Sequence, residues 1–397
     1  MKKKIGIVTF WESNRNYGQI LQNAALQFYL RSLGYFPETI SFKIHSSDIK
    51  LSIKQRLERI IRDDVSIWRH AKRRLKKFFN LRSRSIHIKY SNEEYLLNRH
   101  FDHFKERYIC YTHKLITTVT ELKDLNKDSY IAFITGSDQV WTNAENDYSR
   151  QYAVLLSFVN NGIPRISYAA SFGRNKIIDA TEKKMYEQEL PKFSAVSCRE
   201  DSGVILCRQL GREDAKLVLD PTLLLSSTDW INFLGLPIKH KTDQKRLFIY
   251  SLQNNDNRII ELYEYFKLKG YEIDYACSAS CKESLSNCEL TIEEWVQKIR
   301  EADIVLTNSF HGTIFSVNFH VPVISLAKLD VSIDSAGNRR MYSFLNEINM
   351  QDYLIREIRW KKIDELITYN VDWNKVDDYI NRMRAISKAF LIDAIEG

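Results

Sequence analysis

Glycine, proline and cysteine are scarce in this sequence of 397 residues, which contains 13, 6 and 6 of them respectively. So little glycine and proline excludes collagen-like, linker-like and low-complexity chains, which depend on these residues. Hydrophobic residues make up 44% of the chain and charged residues 27%, as in an ordinary globular protein. The length favours two domains, because single hydrophobic cores stop growing near about 250–300 residues.

Long apolar runs are also missing. No stretch of about 18 consecutive apolar residues occurs, so the sequence predicts no helix that spans a bilayer. The N-terminal MKKKIGIVTF carries the positive charge of a secretory signal, but its apolar part is short and is interrupted by Glu12. We therefore expect a cytoplasmic protein.

The cysteines are too scattered to form a disulfide framework in a chain of this length, and in a reducing cytoplasm we expect free thiols. The spacing of Cys277, Cys281 and Cys288 matches no zinc pattern, so no metal site is predicted. Neither GxGxxG nor GxxxxGKS/T occurs, which leaves the chain without a dinucleotide fingerprint or a P-loop. We expect no bound cofactor.

Positive charge is concentrated in one segment. The formal net charge is +8, from 58 Lys and Arg against 50 Asp and Glu. Residues 54–89 alone contain 13 basic and 3 acidic residues, so the rest of the chain is close to neutral. A nucleic-acid-binding protein spreads its basic residues along a groove or a recognition helix, and this distribution argues against that class.

Apolar segments alternate between strand and helix patterns, which indicates an α/β protein. In the first half, strands are predicted at 5–10, 39–42, 130–135, 165–170 and 195–198, and a helix begins near residue 20 and ends before Gly34. In the second half, strands are predicted at 247–252, 273–276, 304–307 and 323–326, with helices at 257–269, 291–302 and from residue 312. Thr291 and Glu294 form a predicted capping box.

Two successive series of this kind predict two Rossmann-like domains that face a cleft. We place the N-terminal domain at residues 1–215, with a basic helical insert at about 50–110, and the C-terminal domain at 216–370. A final helix in residues 371–397 has no strand after it, and we expect it to pack back on the N-terminal domain.

Polar clusters follow the predicted strands, where parallel sheets gather their binding groups. These clusters are NYGQ, GSDQVW, SFG, SCRE, NSFHG and SLAK, which begin at residues 16, 136, 171, 197, 308 and 325. They contain the candidate site residues Asn16, Tyr17, Gly18, Ser137, Asp138, Gln139, Arg199, Asn308, Ser309, His311 and Lys328.

His311 is the most informative of these residues. It lies just after a predicted strand, at the start of a helix, where free backbone N–H groups and the helix dipole favour an anion. An imidazole there suits a phosphate or carboxylate ligand, or proton transfer. The alternative is a histidine that only caps the helix or satisfies backbone groups.

The other candidates also have structural alternatives. Arg199 and Lys328 could each bind a carboxylate or phosphate. Alternatively, Arg199 forms a salt bridge with Glu200 or Asp201, and Lys328 is a surface lysine at a strand end. Asp138 offers a carboxylate or an N-cap. Asn16 and Gly18 fit a ligand contact or simple turn chemistry. The aromatic residues near these loops either stack on sugars or belong to the core; they are Trp11, Tyr17 and Trp141.

Six separate motifs, taken in order, resemble those of the polysaccharide pyruvyl transferase family. They are IGIVTFWESNRNYGQILQNAALQFYLRSLGY, ITGSDQVW, ISYAASFG, SCREDSG, LDPTLLL with Trp230 after it, and ADIVLTNSFHGTIFSVNFHVPVISLAK. The resemblance implies a GT-B-like fold. It also implies transfer of the enolpyruvyl group of phosphoenolpyruvate to a sugar diol of a lipid-linked or polymeric bacterial surface glycan, which gives a cyclic pyruvate ketal and phosphate.

The resemblance also implies site residues. The family's phosphoenolpyruvate-binding Arg, His and Lys are matched by Arg199, His311 and Lys328. We expect His311 to contact the phosphate or transfer a proton, and Asp138 is a weaker candidate for the general base. The remaining candidates, Asn16, Tyr17, Gly18, Ser137, Gln139, Asn308 and Ser309, are assigned to the acceptor or to the loops that hold it.

The basic insert interleaves apolar residues with lysine and arginine, as interfacial amphipathic helices do. One hypothesis is that it holds the enzyme at the inner face of an anionic membrane, and the other is a solvated helical hairpin packed on the first domain. Two further functions share much of the pattern: a GT-B-type glycosyltransferase that uses a nucleotide sugar, and an inert glycan-binding scaffold.

Overall fold

The computed structural model describes residues 3–44, 99–142, 148–177, 179–239, 243–252, 256–278, 289–329 and 336–397. The basic insert predicted at 54–89 lies outside the described residues, and so does the membrane hypothesis that rests on it. In the part of the chain that is described, no helix is long and apolar enough to cross a membrane.

Two parallel β-sheets form the frame of the protein. The strands of the first are β1 (Lys4–Val8), β2 (Phe36–Thr39), β3 (Tyr130–Thr135), β4 (Arg165–Ala170), β5 (Ala195–Cys198) and β6 (Lys216–Leu217), in the order β2-β1-β3-β4-β5-β6. Those of the second are β7 (Arg246–Ser251), β8 (Glu272–Cys277), β9 (Ile304–Thr307), β10 (Val323–Leu326) and β11 (Leu354–Ile355), in the order β11-β10-β9-β7-β8. Strands β4 and β9 are buried along their whole length, as expected of parallel strands covered on both faces.

Helices connect the strands and cover both sheets. In the described residues they are α1 (Tyr17–Ser32), α2 (Phe101–Tyr108), α3 (Val119–Asp124), α4 (Tyr148–Val154), α5 (Ala180–Glu189), α6 (Asp201–Gln209), α7 (Ser227–Leu234), α8 (Asn257–Leu268), α9 (Ile292–Glu301), α10 (Phe310–Asn318), α11 (Ala336–Glu347), α12 (Trp360–Thr368) and α13 (Trp373–Glu396). Short 3₁₀ turns lie at Leu125–Lys127, Leu190–Lys192, Pro221–Leu223 and Gln351–Tyr353.

Local sequence signals explain where two of these helices begin or end. Helix α1 is followed by Gly34 at a φ of 84°, and the Gly34 and Tyr35 N–H groups close the helix by donating to the carbonyls of Arg31 and Leu30. Helix α9 begins with the predicted capping box, because the Thr291 hydroxyl accepts from the Glu294 N–H at 3.2 Å and the Glu294 carboxylate accepts from the Thr291 N–H at 2.8 Å.

Two expectations from the sequence need correction. Strand β2 ends at Thr39, where the sequence pattern predicts it to begin, because the chain beyond it pairs elsewhere: Thr39 and Phe42 form bridges with Tyr111 and Ile116. The free-thiol prediction is wrong for Cys277, which is disulfide-bonded. Cys277 is the last residue of β8, and the sequence has two more cysteines, Cys281 and Cys288, shortly after it. The thiols of Cys110, Cys198 and Cys207 are free, as predicted.

Helix α13 lies against the first half of the chain. The Ser387 hydroxyl accepts from the Leu219 N–H at 2.9 Å, the Phe390 and Tyr168 ring centroids are 6.4 Å apart, and the Tyr35 hydroxyl donates to Glu396 at 3.0 Å. The last helix therefore ties the end of the chain to the domain in which the chain begins.

Tyr17 joins the two halves. Its ring stacks on Trp295 at 5.2 Å and meets Tyr250 edge-on at 5.6 Å, while its hydroxyl donates to the Leu290 carbonyl at 2.7 Å. All three partners belong to the second half of the chain, whereas Tyr17 begins α1 in the first. Because Tyr17 has no exposed surface, it offers none to an acceptor in this conformation.

We expect Tyr17→Ala to lower the free energy of unfolding by about 3–5 kcal/mol, as for other large aromatic deletions in cores. Tyr369→Ala is the matched control, since Tyr369 is 63% exposed, and should change stability by no more than about 0.5 kcal/mol. Urea denaturation of the two variants measures the difference. Equal stabilities would show that Tyr17 does not hold the two halves together.

Candidate active site

A cluster of charged side chains lies where the carboxyl ends of the first sheet meet the second half of the chain. Asp138 follows β3, Arg199 and Glu200 follow β5, and Asp220 follows β6. From the opposite side His311 enters in the first turn of α10. Parallel α/β folds place their ligands in this position.

Arg199 is the centre of the cluster. Its side chain is fully buried and lies 2.7 Å from Asp138, 2.9 Å from Asp220 and 3.5 Å from Glu200, measured between charged atoms. Burial opposes the charged form of Arg199, but the three carboxylates outweigh burial and raise its pKa. A buried guanidinium is stable only when paired in this way.

Asp220 is held from several directions. One carboxylate oxygen accepts from the Thr222 N–H at 3.1 Å and from its hydroxyl at 2.8 Å. The other accepts from Arg199 and, at 3.1 Å, from the Ser137 hydroxyl. Burial raises the pKa of Asp220, but His311, Arg199 and the hydrogen bond from Thr222 bring it far below its ordinary value.

The Asp138 carboxylate is also committed to an ion pair. Its burial raises the pKa, yet the charges of Arg199, His311 and Arg340 outweigh burial and leave the pKa below its ordinary value. Asp138 adopts the left-handed region with a φ of 71°, which is uncommon for a residue other than glycine and is tolerated where function needs it. Asp138 does not cap a helix, because no helix begins in residues 139–142, which follow it, and its backbone forms a bridge with Ala170 of β4.

His311 is buried beside Asp220. Its Nε2 lies 3.7 Å from the Asp220 carboxylate and has no hydrogen-bond partner among the described residues. The other face of the ring packs on α1 at Gly18, where an added Cβ would lie 2.1 Å from the imidazole. Ser309 caps α10 instead of His311, since its hydroxyl accepts from the Gly312 N–H at 3.3 Å. His311 is therefore not the residue that caps this helix.

Arg340, on α11, is a second guanidinium in the cluster. Arg199 and Arg340 lie over the ring of Phe310, at 5.1 and 5.5 Å from its centroid. Burial and, next, the charge of Arg199 lower the pKa of Arg340 to about 10. The Arg340 Nε has no hydrogen-bond partner among the described residues. An incoming anion could therefore accept a hydrogen bond from this nitrogen.

Glu200 differs from the other two carboxylates. Burial raises its pKa more than Arg199 and the hydrogen bond from Ser171 lower it. Its Oε2 is buried and lacks a hydrogen-bond partner among the described residues. Buried polar atoms without partners are rare in folded proteins, and the site brings together those of Arg199, Glu200, His311 and Arg340.

The structure brings the predicted site residues Ser137, Asp138, Arg199 and His311 together, with Gly18 against the imidazole. Four further candidates make structural contacts: Asn16 caps α1, Ser309 caps α10, Asn308 accepts from the Leu252 N–H at 2.7 Å, and Tyr17 lies in the aromatic contact between the halves. Gln139 is half-buried beside Gly173. Their predicted contacts with an acceptor stay predictions.

Lys328 is half-buried and is the second residue after β10. The fully buried Asn338 fixes its backbone, accepting from the Lys328 N–H at 2.7 Å and donating to its carbonyl at 3.0 Å. Asn338 also lies two residues before Arg340 on α11, so the loop that carries Lys328 is hydrogen-bonded to the helix that carries Arg340. The predicted contact of Lys328 with phosphoenolpyruvate stays a prediction.

Sequence reasoning missed Asp220, Glu200 and Arg340 as site residues. The signal for Asp220 was present, since DPT after a short strand is a turn in which the carboxylate is held at a strand end. Glu200 was interpreted only as a partner of Arg199. Arg340 carries no local signal, because it lies within a helix and reaches the cluster through tertiary packing.

A small cavity borders one side of the cluster. It has a volume of about 30 Å³ and is lined in part by Arg199, Asp220, Phe310 and Arg340. This is about the share of liquid volume that one water takes. Near this cavity, Asp201 of the first half forms an ion pair with Arg339 of the second half at 2.8 Å. Among the described residues, no group of three His, Cys, Asp or Glu side chains is arranged to hold a metal ion.

The sequence matches a known protein family. A model of the family described as polysaccharide pyruvyl transferase matches residues 16–328. The matched segment includes every residue of the cluster except Arg340, which follows it. No curated protein sequence matches the chain.

Solved structures resemble the fold. The UDP-GlcNAc 2-epimerase of Neisseria meningitidis, bound to UDP-GlcNAc, has a TM-score of 0.51 and 9% identity, over 99% of this chain and 100% of that one. The UDP-N-acetylglucosamine 2-epimerase of Rickettsia bellii has a TM-score of 0.49 and 13% identity, over 100% of this chain and 97% of that one. Such low identity shows the fold alone. The predicted α/β class with two GT-B-like halves is confirmed.

We expect Asp220→Asn to lower the free energy of unfolding by about 3–5 kcal/mol, because it leaves a buried guanidinium short of one charge partner. Asp214→Asn is the control. Asp214 also pairs with an arginine, Arg212, at 2.7 Å, but its side chain is 62% exposed, and such pairs are worth less than about 1 kcal/mol. Thermal and urea unfolding measure both; equal losses would contradict the central place of Asp220.

Proposed function

The chain belongs to the polysaccharide pyruvyl transferase family, whose model spans residues 16–328, and we propose that it transfers the enolpyruvyl group of phosphoenolpyruvate to a sugar diol. The acceptor would be a lipid-linked or polymeric precursor of a bacterial surface glycan. The observation that carries the proposal is the meeting of the two halves at a buried cluster in which His311 Nε2 and Arg340 Nε lack hydrogen-bond partners within the described structure.

The reaction requires two new C–O bonds at one carbon. The methylene carbon C3 of phosphoenolpyruvate gains a proton and becomes a methyl group, while two sugar hydroxyls bond to C2. The bond between C2 and the phosphate oxygen breaks. Of the two hydroxyl protons released, one balances the proton gained by C3 and the other leaves with inorganic phosphate, so the product is a cyclic pyruvate ketal. The protein must therefore bind an anion, supply a proton and remove hydroxyl protons.

Several positive groups suit the anionic donor. The first turn of α10 adds the positive end of a helix dipole to His311, and α1 also begins at the site, at Tyr17 and Gly18. Arg340 supplies a guanidinium that can form a two-pronged contact with a carboxylate or phosphate. We assign Arg340 and His311 to direct donor contacts, with Lys328 as a third cation.

Arg199 has a different role in this scheme from the one its motif implies. Its three ion pairs in the described conformation leave it largely occupied by protein carboxylates. It therefore reaches the donor only if one of these carboxylates gives up its contact. Asp138, with its lowered pKa, is a weak proton acceptor here, and its ion pair suits it to hold Arg199 in place.

His311 is the proposed partner of the leaving phosphate. An imidazole with a carboxylate at its side is a common arrangement for proton transfer, and Asp220 lies 3.7 Å from Nε2. His311 would donate a proton to the phosphate as the C–O bond breaks and recover one from a sugar hydroxyl. The half-buried amides of Asn16 and Gln139 lie on the loops next to the cluster and are candidates for acceptor contacts.

The cavity beside Arg199 and Arg340, of about 30 Å³, is too small for the donor. Binding would therefore require the two halves to separate around the contacts of Tyr17 and the Asp201–Arg339 ion pair. Such opening and closing is common in enzymes that must exclude water from a reactive intermediate.

Incubation with phosphoenolpyruvate and a panel of synthetic β-galactosides and lipid-linked sugars should release phosphate and give a product with the mass of a ketal. We expect His311→Ala to reduce turnover at least about 100-fold, the lower end of the effect of a proton-transfer residue, while the fold stays intact. His320→Ala is the control, because His320 pairs with Asp377 at the surface. Turnover of a nucleotide sugar, with no ketal from any acceptor, would favour a glycosyltransferase instead.

We expect Arg340→Met to raise the KM for phosphoenolpyruvate by about 10- to 100-fold, the value of one charged hydrogen bond of about 1.5–3 kcal/mol. Methionine keeps most of the apolar packing on Phe310 but removes the charge. Arg382→Met serves as the control on an exposed position of α13. An unchanged KM for the donor would remove Arg340 from the binding site.

A further inference from the structure

We propose that Glu200 is the acid that protonates the methylene carbon of phosphoenolpyruvate, and that donor binding loads it with that proton. The proposal rests on the proposed function and assigns a catalytic step to a residue that the family resemblance left without a role.

The geometry singles out Glu200 among the carboxylates of the cluster. Asp138 and Asp220 each accept a hydrogen bond from Arg199, at 2.7 and 2.9 Å. Glu200 approaches the Arg199 Nε only to 3.5 Å, so it forms an ion pair without a hydrogen bond, and its Oε2 is buried with no partner among the described residues. Of these three carboxylates, Glu200 is therefore the one with a buried oxygen that accepts no hydrogen bond in the described structure.

Glu200 is also held in a fixed position. It is 4% exposed and lies between β5 and the first residue of α6. The Ser171 hydroxyl, from the loop after β4, hydrogen-bonds to its carboxylate. Gly203 of α6 packs on the same carboxylate, since an added Cβ there would lie 3.7 Å from Oε1. A rigid carboxyl group in a dry site is what proton delivery to carbon requires.

The charges around Glu200 come from every side of the cluster. They are Arg199 beside it in the chain, Asp138 after β3, Asp220 after β6, Arg340 on α11 and His311 on α10, with the Asp201–Arg339 pair at the rim and the Cys198 thiol at the end of β5. In the buried part, two guanidinium groups face three carboxylates. Phosphoenolpyruvate adds up to three further negative charges at neutral pH.

This balance decides which group takes up a proton. A like charge placed nearby favours the neutral form of an acid. The pKa of Glu200 is already raised by its burial, whereas the pKa values of Asp138 and Asp220 are lowered. When the anionic donor binds, Glu200 therefore takes up a proton from solvent before either aspartate does. In the reaction Glu200 gives this proton to C3 as the first sugar hydroxyl bonds to C2, and the carboxylate then recovers a proton from that hydroxyl.

Titration calorimetry with phosphoenolpyruvate tests the loading step. The binding enthalpy is measured in buffers with different ionisation enthalpies, because its dependence on the buffer gives the number of protons taken up. The measurement is made at a pH above the pKa that Glu200 has in the unliganded protein. We expect the native protein to take up a proton on binding, and we expect Glu200→Gln not to take up this proton. Glu189→Gln is the control, since Glu189 is a carboxylate of the same domain that pairs with Arg165 at 3.3 Å, away from the cluster; it should behave as the native protein does.

Steady-state kinetics tests the chemical step. Glutamine has the shape of a neutral glutamic acid but cannot release a proton, so we expect kcat to fall about 10²- to 10⁴-fold in Glu200→Gln, with a KM for the donor that is unchanged or lower. A merely structural role would raise KM or unfold the protein instead.

The outcomes separate the two proposals. If the native protein does not bind phosphoenolpyruvate at all, the proposed function fails. If it binds the donor with the same proton uptake as Glu200→Gln, or if that variant keeps its kcat, the role of Glu200 is overturned while the proposed function stands. The proton uptake of the native protein alone already tests the loading step, should the variant fold poorly.

Discussion

A single buried guanidinium sets the arrangement of the site. The Arg199 side chain has no exposed surface, so its charge must be balanced by carboxylates within hydrogen-bonding or ion-pair distance. Asp138 and Asp220 meet this demand from two different strand ends, and each is fixed in turn: Asp138 by an uncommon backbone conformation and Asp220 by Ser137 and Thr222. The ends of β3, β5 and β6, all strands of the first sheet, are thereby held together.

The second half of the chain completes the cluster but leaves some of its buried polar atoms without hydrogen-bond partners. His311 and Arg340 enter from α10 and α11, and each retains a buried nitrogen without a hydrogen-bond partner in the described structure. The aromatic contact of Tyr17 with Trp295 holds the halves close, and Gly18 allows α1 to approach the imidazole. Buried polar groups without partners destabilise a protein, and a concentration of them at one point is typical of a site where a substrate supplies the missing partners. We propose that this substrate is the anionic donor phosphoenolpyruvate.

Much of the fold could be predicted from the sequence because its strands are buried on both faces and read as short apolar runs. The bounds of β3, β4, β5, β9 and β10 agree with the prediction. Arg199 and His311 were found because each follows such a strand. Arg340 could not be found in this way, since its place depends on how α11 packs against Phe310. The balance between Glu200 and the aspartates is likewise tertiary, because it depends on distances to one arginine from three strand ends.

The central claim is that this cluster receives phosphoenolpyruvate, and a crystal structure of the protein with that molecule tests it most directly. The account predicts the donor between the two halves, with oxygen atoms within hydrogen-bond distance of His311 Nε2 and the Arg340 guanidinium, and its methylene carbon facing Glu200. A donor bound elsewhere, with the ion pairs of Arg199 unchanged and the His311 and Arg340 nitrogens still without partners, would contradict it.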